Sequence, residues 1–346
     1  MPRTHSDLFL KIVDFDNLWH AYLAARKGKR YRWEVAQFAA HLDENLINLQ
    51  NHLLWGSWRP GAASEFTIRE PKRREIQAPP FSDRVVHHAL VRVVEPLFER
   101  RFIHHSYACR TGKGTQRAVE AVQSMARIAK RNWGTPYVVK ADIKSFFASI
   151  RHETLFRLVG RVVSCPRTLA LWRVIASGYG HHDGVGLPVG ALTSQLGANL
   201  MLDWLDHVMT DQHGLGQYVR YMDDFVILAP SKAAAWERLE QAARVIAGLG
   251  LALNPKTAIF PLRSGVDFCG YRIWPTHILP RKRNIRRARR AFRSLAARYA
   301  RGEIGLDYVW PRVASFLAYS KHCNAGMTVD RILAETVFQR GDHADR

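Results

Sequence analysis

The most informative segment of the 346-residue sequence reads Gln217-Tyr218-Val219-Arg220-Tyr221-Met222-Asp223-Asp224-Phe225-Val226-Ile227-Leu228. Two short runs rich in β-branched and aromatic residues enclose a polar centre, which is the pattern of a β-hairpin whose turn carries the acids. A pair of acids at a surface turn usually has no further role. A second strand-like run, residues 137–142, also ends on an acid, Asp142. If the two runs form neighbouring strands, Asp142, Asp223 and Asp224 meet at one edge of a sheet.

Three carboxylates at one rigid edge suit a hard divalent cation. Mg²⁺ prefers carboxylate oxygens, and neighbouring strand ends hold such groups in place. Enzymes that transfer a phosphoryl group to a growing strand use two ions about 3.5–4 Å apart, one on the attacking hydroxyl and one on the leaving pyrophosphate. Asp142, Asp223 and Asp224 are therefore candidate catalytic and metal-binding residues. We expect two Mg²⁺ ions, for which Mn²⁺ can substitute.

The composition indicates a folded protein with a polyanionic partner. The chain has 51 Lys and Arg against 30 Asp and Glu, a formal net charge of +21, and nucleic acid is the commonest polyanion for such a surface. The hydrophobic and aromatic fractions, 47% and 11%, argue against disorder. The longest apolar runs fall far short of a membrane span, and residues 1–11 do not resemble a signal peptide. We therefore expect no membrane partner.

The four cysteines are scattered along the chain and contain no C-x-x-C pair: Cys109, Cys165, Cys269 and Cys323. This spacing predicts neither a zinc site nor a disulfide framework. We expect reduced thiols and a cytoplasmic protein.

Periodicity along the rest of the chain predicts an α+β fold. Apolar residues recur at helical spacing in several segments: residues 17–56, 83–101, 192–209 and 232–249, and a segment that begins near Gln116. Residues 66–68 have the pattern of a further short strand. Strands and helices in this order predict a sheet with helices on one face.

Residues 281–301 are strongly basic, with ten Lys or Arg residues. Apolar residues recur at three- and four-residue steps within this run, so that one stripe of a helix can pack while the other faces carry positive charge: Ile285, Ala288, Phe292, Leu295 and Tyr299. A solvated helix is one interpretation. We favour a nucleic-acid contact because phosphates neutralise charges that otherwise repel each other. The candidate residues are Arg281, Lys282, Arg283, Arg286, Arg287 and Arg290.

The sequence resembles reverse transcriptases. Residues 221–224, Tyr-Met-Asp-Asp, look like their central motif, and residues 141–147, Ala-Asp-Ile-Lys-Ser-Phe-Phe, look like their first acidic motif. Four further segments resemble family motifs in the family's order, from the fingers to the primer grip: residues 70–76, 106–115, 254–257 and 268–271.

The resemblance implies a right-hand polymerase fold with an antiparallel palm sheet and a helical thumb. The expected boundaries are an N-terminal helical extension at residues 1–60, fingers at 61–135, a palm at 136–275 with a fingers insertion at about 150–190, and a basic helical thumb at 276–346. Asp142 and Asp223 would be the main ligands of both ions. Asp224 would assist, and the Ile143 carbonyl would also be available.

The resemblance also assigns residues to the incoming nucleotide. Lys72 and Arg74 would hold its triphosphate, Arg74 by its planar fork. Backbone N–H groups near Ser145 and Phe146 would cradle the same phosphates. Lys256 resembles the residue that protonates the leaving pyrophosphate. The alternative is a surface lysine that faces phosphate.

Phe147 lies five residues after Asp142, where the family places its steric gate. A bulky ring there would collide with a ribose 2′-hydroxyl and favour deoxynucleotides. The alternative is that Phe146 and Phe147 both belong to the core. Adjacent residues of an extended chain point in opposite directions, so we expect one of the two rings to be buried.

One departure from the intron-type pattern indicates a branch of the family. Pro188-Val189-Gly190 stands where most relatives of group II intron reverse transcriptases carry Pro-Gln-Gly. Residues 186–195, Gly-Leu-Pro-Val-Gly-Ala-Leu-Thr-Ser-Gln, and residues 272–277 resemble the reverse transcriptases of diversity-generating retroelements. Val189, Gly190 and Gln195 are therefore expected near the nucleotide.

That branch copies a template-repeat RNA and misincorporates opposite adenines, so that the cDNA diversifies a target gene. Its implied partners are template RNA, the cDNA/RNA duplex, dNTPs and a small basic accessory variability protein, in a bacterial or phage-infected cell. Three alternatives remain. They are an intron-type or host-defence reverse transcriptase, an RNA-templated RNA polymerase, and a non-catalytic RNA-binding scaffold. The last predicts loss of a metal ligand, whereas Asp142, Asp223 and Asp224 are all present.

Overall fold

The strands of the chain form short antiparallel sheets. In chain order they are β1 (Ser64–Ile68), β2 (Arg74–Ala78), β3 (Tyr137–Asp142), β4 (Tyr218–Tyr221), β5 (Asp224–Ala229), β6 (Ala258–Pro261), β7 (Val266–Phe268), β8 (Tyr271–Ile273) and β9 (Ile278–Pro280). This computed structural model describes residues 4–68, 74–181 and 183–340, without the side chains of Arg74 and Glu75. The predictions for Lys72 and for the Arg74 side chain therefore lie outside the described residues.

Helices make up most of the remaining structure. The α-helices are α1 (Phe9–Val13), α2 (Phe15–Ala25), α3 (Trp33–Ala40), α4 (Leu42–Leu54), α5 (Phe81–Glu99), α6 (Thr115–Trp133), α7 (Phe146–Ser149), α8 (His152–Val159), α9 (Pro166–Ala176), α10 (Leu192–His207), α11 (Lys232–Gly248), α12 (Lys282–Ala300), α13 (Leu306–Ser320) and α14 (Gly326–Ala334). The predicted helices are confirmed, with one change. Residues 17–56 hold three helices instead of one, because the chain turns at Gly28, where φ is +70°, and again at His41.

Within the described ranges, β4, β5, β3 and β6 form the central sheet in that order, and all neighbours are antiparallel. Alternate residues of a strand face opposite sides. Val139 and Ile227 pack with α10 and α11 in one buried cluster, whereas Val138 and Val226 pack with α6 in another. The prediction of helices on one face is therefore wrong. Val138, Val226 and Leu228 make part of the second face apolar as well, and that part needs a helix to cover it.

The N-terminal helices are part of the main core and not a separate unit. Leu18, Tyr22 and Leu46 are almost completely buried and belong to the same cluster as α5 and α10. Asn17 strengthens this contact, because its side-chain amide donates to the Ala89 carbonyl of α5 at 3.1 Å. The N-terminal segment therefore packs on α5, which in turn packs on α10.

The C-terminal helices have a small core of their own. Phe292, Leu295, Phe316 and Ile332 are buried together, which confirms the apolar stripe predicted for α12. Tyr319 joins this core to the sheet β7–β8–β9. Its ring stacks on Tyr271 at a centroid distance of 4.7 Å, and its hydroxyl donates to the Gly270 carbonyl at 2.5 Å.

All four cysteines have free thiols, as their spacing predicted. A search of the described helices finds none that combines the length and the apolar character needed to cross a membrane.

Candidate active site

Asp142 and Asp224 lie opposite each other at one end of the central sheet. They are register partners on the antiparallel strands β3 and β5. Cross-strand partners on one face have Cβ atoms about 4.5–5.5 Å apart, so the two carboxylates are neighbours. Met222 and Asp223 form the turn between β4 and β5, with Met222 at φ +57°. The turn in the structure is therefore one residue shorter than the predicted turn, because Asp224 already pairs with Tyr221.

Lys140 shares the face of the two carboxylates, two residues before Asp142 on β3. Its ammonium group pairs with the Asp224 carboxylate. Burial lowers the pKa of Lys140 to about 8, although the nearby Asp142 carboxylate opposes that shift. Like charges directly opposite each other on a sheet are destabilising. One ammonium group against three carboxylates leaves an excess of negative charge that favours a further cation.

Asn254 orients the Asp142 side chain. Its side-chain amide donates to Asp142 Oδ2 at 3.1 Å, and its backbone N–H donates to the Asp142 carbonyl at 2.7 Å. Its own side-chain oxygen accepts from the Lys256 N–H at 3.0 Å. This turn displays Lys256 as an exposed residue. The Lys144 N–H donates to the Ala252 carbonyl at 2.9 Å. Backbone hydrogen bonds of Asp142 and Lys144 therefore flank Ile143 on both sides.

The carboxylate donors suit Mg²⁺ in type and position. Among the residues that the structure describes, no group of three His, Cys, Asp or Glu side chains is arranged to hold a metal ion by itself. Mg²⁺ is commonly bound by one or two carboxylates together with substrate phosphates and water. The in-register pair Asp142 and Asp224, with Asp223 in the adjoining turn, fits a site that a nucleotide completes.

A buried ion pair lies directly beneath the turn. The Arg220 side chain is fully buried and makes two short hydrogen bonds to the Asp206 carboxylate, at 2.6 and 2.7 Å. It also donates to the Asn199 side chain at 3.1 Å and to the Met222 carbonyl at 3.0 Å. Burial alone would lower the pKa of Arg220, but the Asp206 carboxylate raises it above its usual value. Arg220 is therefore a permanent cation that holds the turn from below.

Phe146 and Phe147 follow Ser145, which has a left-handed backbone with φ +48°. Phe146 is 3% exposed and belongs to the core, whereas Phe147 is half-buried at the edge of the same cluster. Their rings contact each other at a centroid distance of 5.6 Å. The expectation that one of the two rings is buried is confirmed. The gate role of Phe147 and the phosphate role of Ser145 stay predictions.

The loop that carries Val189 lies beside Phe147. The Leu187 N–H donates to the Phe147 carbonyl at 2.9 Å, and Val189 is half-buried. Gly190 is exposed with φ +103°, and a Cβ built there would lie 3.7 Å from Ile76 Cγ2 of β2. The structure therefore brings the Phe147 segment, the Val189 loop and the β1–β2 hairpin together. Gln195 lies half-buried in the first turn of α10, directly after this loop.

The six candidate nucleic-acid residues lie at the start of α12. Arg281 precedes the helix, and its guanidinium pairs with Asp267 of β7. The other five are exposed: Lys282, Arg283, Arg286, Arg287 and Arg290. The helix presents its positive side chains to solvent while its apolar stripe packs inward, as the periodicity predicted.

The sequence assigned no role to Lys140, Asn254 or Arg220, although Asn254 lies in the motif segment 254–257. Period-two alternation along β3 was a sufficient signal for Lys140, since it stands two residues before Asp142. Asn254 lies 112 residues from its partner, and no local pattern links them. Arg220 is a charged residue in an otherwise apolar strand. Because a buried charge is rare unless it is paired, its position in the strand was a signal for a buried ion pair.

Comparison with known proteins agrees with this geometry. The family model described as reverse transcriptase (RNA-dependent DNA polymerase) matches residues 68–273. Protein YkfC of Escherichia coli is 28% identical over 279 residues, which are 68% of this chain and 72% of that protein. The group II intron-encoded protein LtrA of Lactococcus lactis is 27% identical over 174 residues, which are 47% of this chain and 28% of LtrA.

Among solved structures, telomerase from Candida albicans aligns with a TM-score of 0.47 and 10% identity, over 81% of this chain and 56% of that chain. The family model itself covers more than half of the sequence and includes both acidic strand ends and the Val189 loop. The chain therefore belongs to the reverse transcriptase (RNA-dependent DNA polymerase) family and is an RNA-directed DNA polymerase.

Proposed function

We propose that this polymerase is the error-prone reverse transcriptase of a diversity-generating retroelement. It copies a template-repeat RNA into cDNA and misincorporates opposite adenines. The observation that carries the proposal is Val189, which replaces an amide by an isopropyl group in a loop bonded to the Phe147 segment. The substrates are dNTPs on template RNA, and a small basic accessory protein is the expected partner.

In the proposed right-hand fold, each group of elements belongs to the fingers, the palm or the thumb. The β1–β2 hairpin and α5 fall in the proposed fingers, the central sheet forms the proposed palm, and α12 to α14 form the proposed thumb. In this arrangement the exposed basic residues of α12 contact the backbone of the cDNA/RNA duplex. Phosphate contacts of this kind position a duplex without reading its sequence.

The carboxylate edge is the proposed catalytic centre. Asp142, Asp223 and Asp224 would hold two Mg²⁺ ions, which when bound activate the primer hydroxyl and stabilise the leaving pyrophosphate. The Asn254 amide keeps the Asp142 carboxylate oriented. Lys256 stands exposed on the adjoining turn and supplies a proton to the leaving group.

Phe147 is the proposed gate against ribonucleotides. Its ring is supported on one side by the buried Phe146 ring and is only half-buried itself. A ring held in this way leaves a flat edge that a ribose 2′-hydroxyl would strike.

We expect Phe147→Ala to raise ribonucleotide incorporation, because the substitution opens the space that the hydroxyl needs. The measurement is primer extension on an RNA template with dNTPs and with rNTPs, expressed as a ratio of efficiencies. Phe147→Tyr is the matched control, since it keeps a bulky ring and should keep the discrimination. An unchanged ratio in Phe147→Ala removes the gate assignment.

Val189 gives a physical reason for low fidelity. A glutamine at this position can hydrogen-bond beside the nascent base pair, whereas an isopropyl group cannot. A hydrogen bond of this kind contributes about 0.5–1.5 kcal/mol, and ~1.4 kcal/mol corresponds to a factor of ten. The loss therefore accounts for roughly an order of magnitude of discrimination. It does not by itself select adenine.

We expect Val189→Gln to lower the error rate by up to about tenfold, because the added amide restores a geometric check on the base pair. The error rate is read by sequencing cDNA made from an adenine-rich RNA template. Val189→Ile is the control, since it changes size without adding a hydrogen bond and should leave the error rate unchanged. An equal or higher error rate in Val189→Gln contradicts the assignment.

A second candidate function is an intron-type reverse transcriptase without adenine mutagenesis. It is favoured by the relatives, since LtrA is described as a group II intron-encoded protein. The two functions differ in the errors that the enzyme makes and in its genomic neighbourhood. A neighbouring pair of similar repeats that differ mainly at adenines supports the diversity-generating function.

A further inference from the structure

The central sheet has a second surface that the polymerase site does not use. Asp142 and Asp224 share the face of the sheet on which Val138 and Val226 pack against α6. The opposite face is covered by α10 and α11, and α8 lies against α10. The outer side of these helices is therefore separated from the carboxylates by a helix layer and the sheet.

That outer side carries a groove of about 440 Å³ with three arginines around an exposed indole. We call it the arginine–tryptophan groove and define it by Arg157, Arg161, Trp204 and Arg244. The Arg161 guanidinium lies over the Trp204 ring at 4.5 Å from its centroid. Trp204 is 39% exposed, and the three arginines are exposed as well.

The three arginines of the groove differ from other arginines of this protein in their ion pairing. In the part of the chain that the structure describes, none of the groove's three guanidinium groups forms an ion pair. Exposed arginines elsewhere do so, for example Arg301 with Glu303 at 2.5 Å. Asp203 is an acid close to the groove and lines an adjoining hollow of about 220 Å³. Asp203 already has a partner, His207, at 3.5 Å.

The chemistry of the groove matches single-stranded nucleic acid. Phosphates neutralise guanidinium groups that have no carboxylate partner, and an exposed aromatic ring offers a stacking surface to an unpaired base. A guanidinium already stacked on the indole extends that flat surface. An acidic protein would satisfy the charges but would not need the planar Arg161–Trp204 pair.

We propose that the arginine–tryptophan groove binds single-stranded nucleic acid outside the catalytic cleft. Arg157, Arg161 and Arg244 hold the phosphates, and one base stacks on Trp204. The bound strand is either an unpaired part of the RNA or the DNA that leaves the enzyme. Both share the phosphate and base chemistry. The site does not depend on the mutagenic function proposed above.

The test measures binding of a short strand while the catalytic cleft is filled. The full chain is first saturated with a blocked DNA primer on an RNA template. Fluorescent oligouridine or oligodeoxythymidine, each about 12 nucleotides long, is then titrated and its anisotropy is followed. We expect the pair Arg161→Glu and Arg244→Glu to weaken binding by about tenfold or more. Trp204→Ala should weaken it by about fivefold or more.

Matched variants separate the groove from general charge. Arg127→Glu with Arg131→Glu changes two exposed arginines of α6 and gives the same change in net charge. This control should alter binding by less than about twofold, and Trp204→Phe should stay close to the unmodified chain because it keeps an aromatic ring. The oligouridine and oligodeoxythymidine arms identify which strand is preferred.

Two results overturn the proposal. One is equal weakening by the groove pair and the α6 pair, which means that only net charge matters. The other is displacement of the oligonucleotide by a polyglutamate peptide whose binding is insensitive to Trp204→Ala, which assigns the groove to an acidic protein. Primer extension on a short duplex should be unchanged in all groove variants. The fidelity proposal is tested by sequencing cDNA, so its failure would not change the binding result for the groove.

Discussion

Asp142→Asn is expected to abolish DNA synthesis while the protein remains folded. The amide has the shape of the carboxylate but not its charge, so it no longer attracts a divalent cation opposite Asp224. Metal ions contribute several kcal/mol of transition-state stabilisation. A loss of about 4 kcal/mol corresponds to roughly a thousandfold decrease in rate. The fold should persist because relief of the repulsion between Asp142 and Asp224 offsets the changed contact with Asn254.

Primer extension on an RNA template with Mg²⁺ and dNTPs measures this loss, and thermal denaturation checks the fold. Asp43→Asn is the control, since Asp43 is an exposed acid in the first turn of α4 far along the chain from the site. It should retain full activity. Synthesis by Asp142→Asn within tenfold of the unmodified chain contradicts the metal assignment.

Arg220→Met is expected to destabilise the protein strongly. The substitution leaves the Asp206 carboxylate buried at 0% exposure without its cation, while the Tyr218 hydroxyl still donates to it at 2.7 Å. Removal of one partner of a buried ion pair costs about 3–5 kcal/mol. Denaturation should therefore begin roughly 5–10 °C lower. DNA synthesis should fall as well, because the Met222 carbonyl loses its donor.

A double variant separates stability from positioning. Arg220→Met combined with Asp206→Leu removes both charges, and apolar replacement of a whole buried pair is often close to neutral. We expect this variant to regain much of the melting temperature of the unmodified chain. Its DNA synthesis should stay reduced by about tenfold, the value of one charge-assisted hydrogen bond. Full recovery of both quantities shows that Arg220 has no influence on the turn.

Local patterns predicted the elements that matter for the site. The hairpin around Asp223 was readable because two runs rich in β-branched and aromatic residues enclose a polar turn, and β3 was readable from a similar run that ends on an acid. Helix α12 was readable from its apolar stripe at three- and four-residue steps. In each case the signal lies within about twenty residues, which is the range over which backbone geometry dictates a pattern.

Long-range features were not readable in the same way. The register that places Asp142 opposite Asp224 depends on the strand order β4–β5–β3–β6, and a strand pattern does not name its neighbour. The hydrogen bond from Asn254 to Asp142 and the network around Arg220 join residues that only the fold brings together. The sequence did not predict helices on both faces of the central sheet, because a short apolar strand can be buried on one face or on both.

The errors that the unmodified chain makes in the sequencing experiment test most directly what this polymerase synthesises. An RNA template that contains all four bases is copied with dNTPs and Mg²⁺, and the cDNA is sequenced at single-molecule depth. We predict DNA products whose substitutions are concentrated opposite template adenines and are at least about tenfold rarer opposite the other three bases. DNA copied with the same low error rate opposite all four bases contradicts the account.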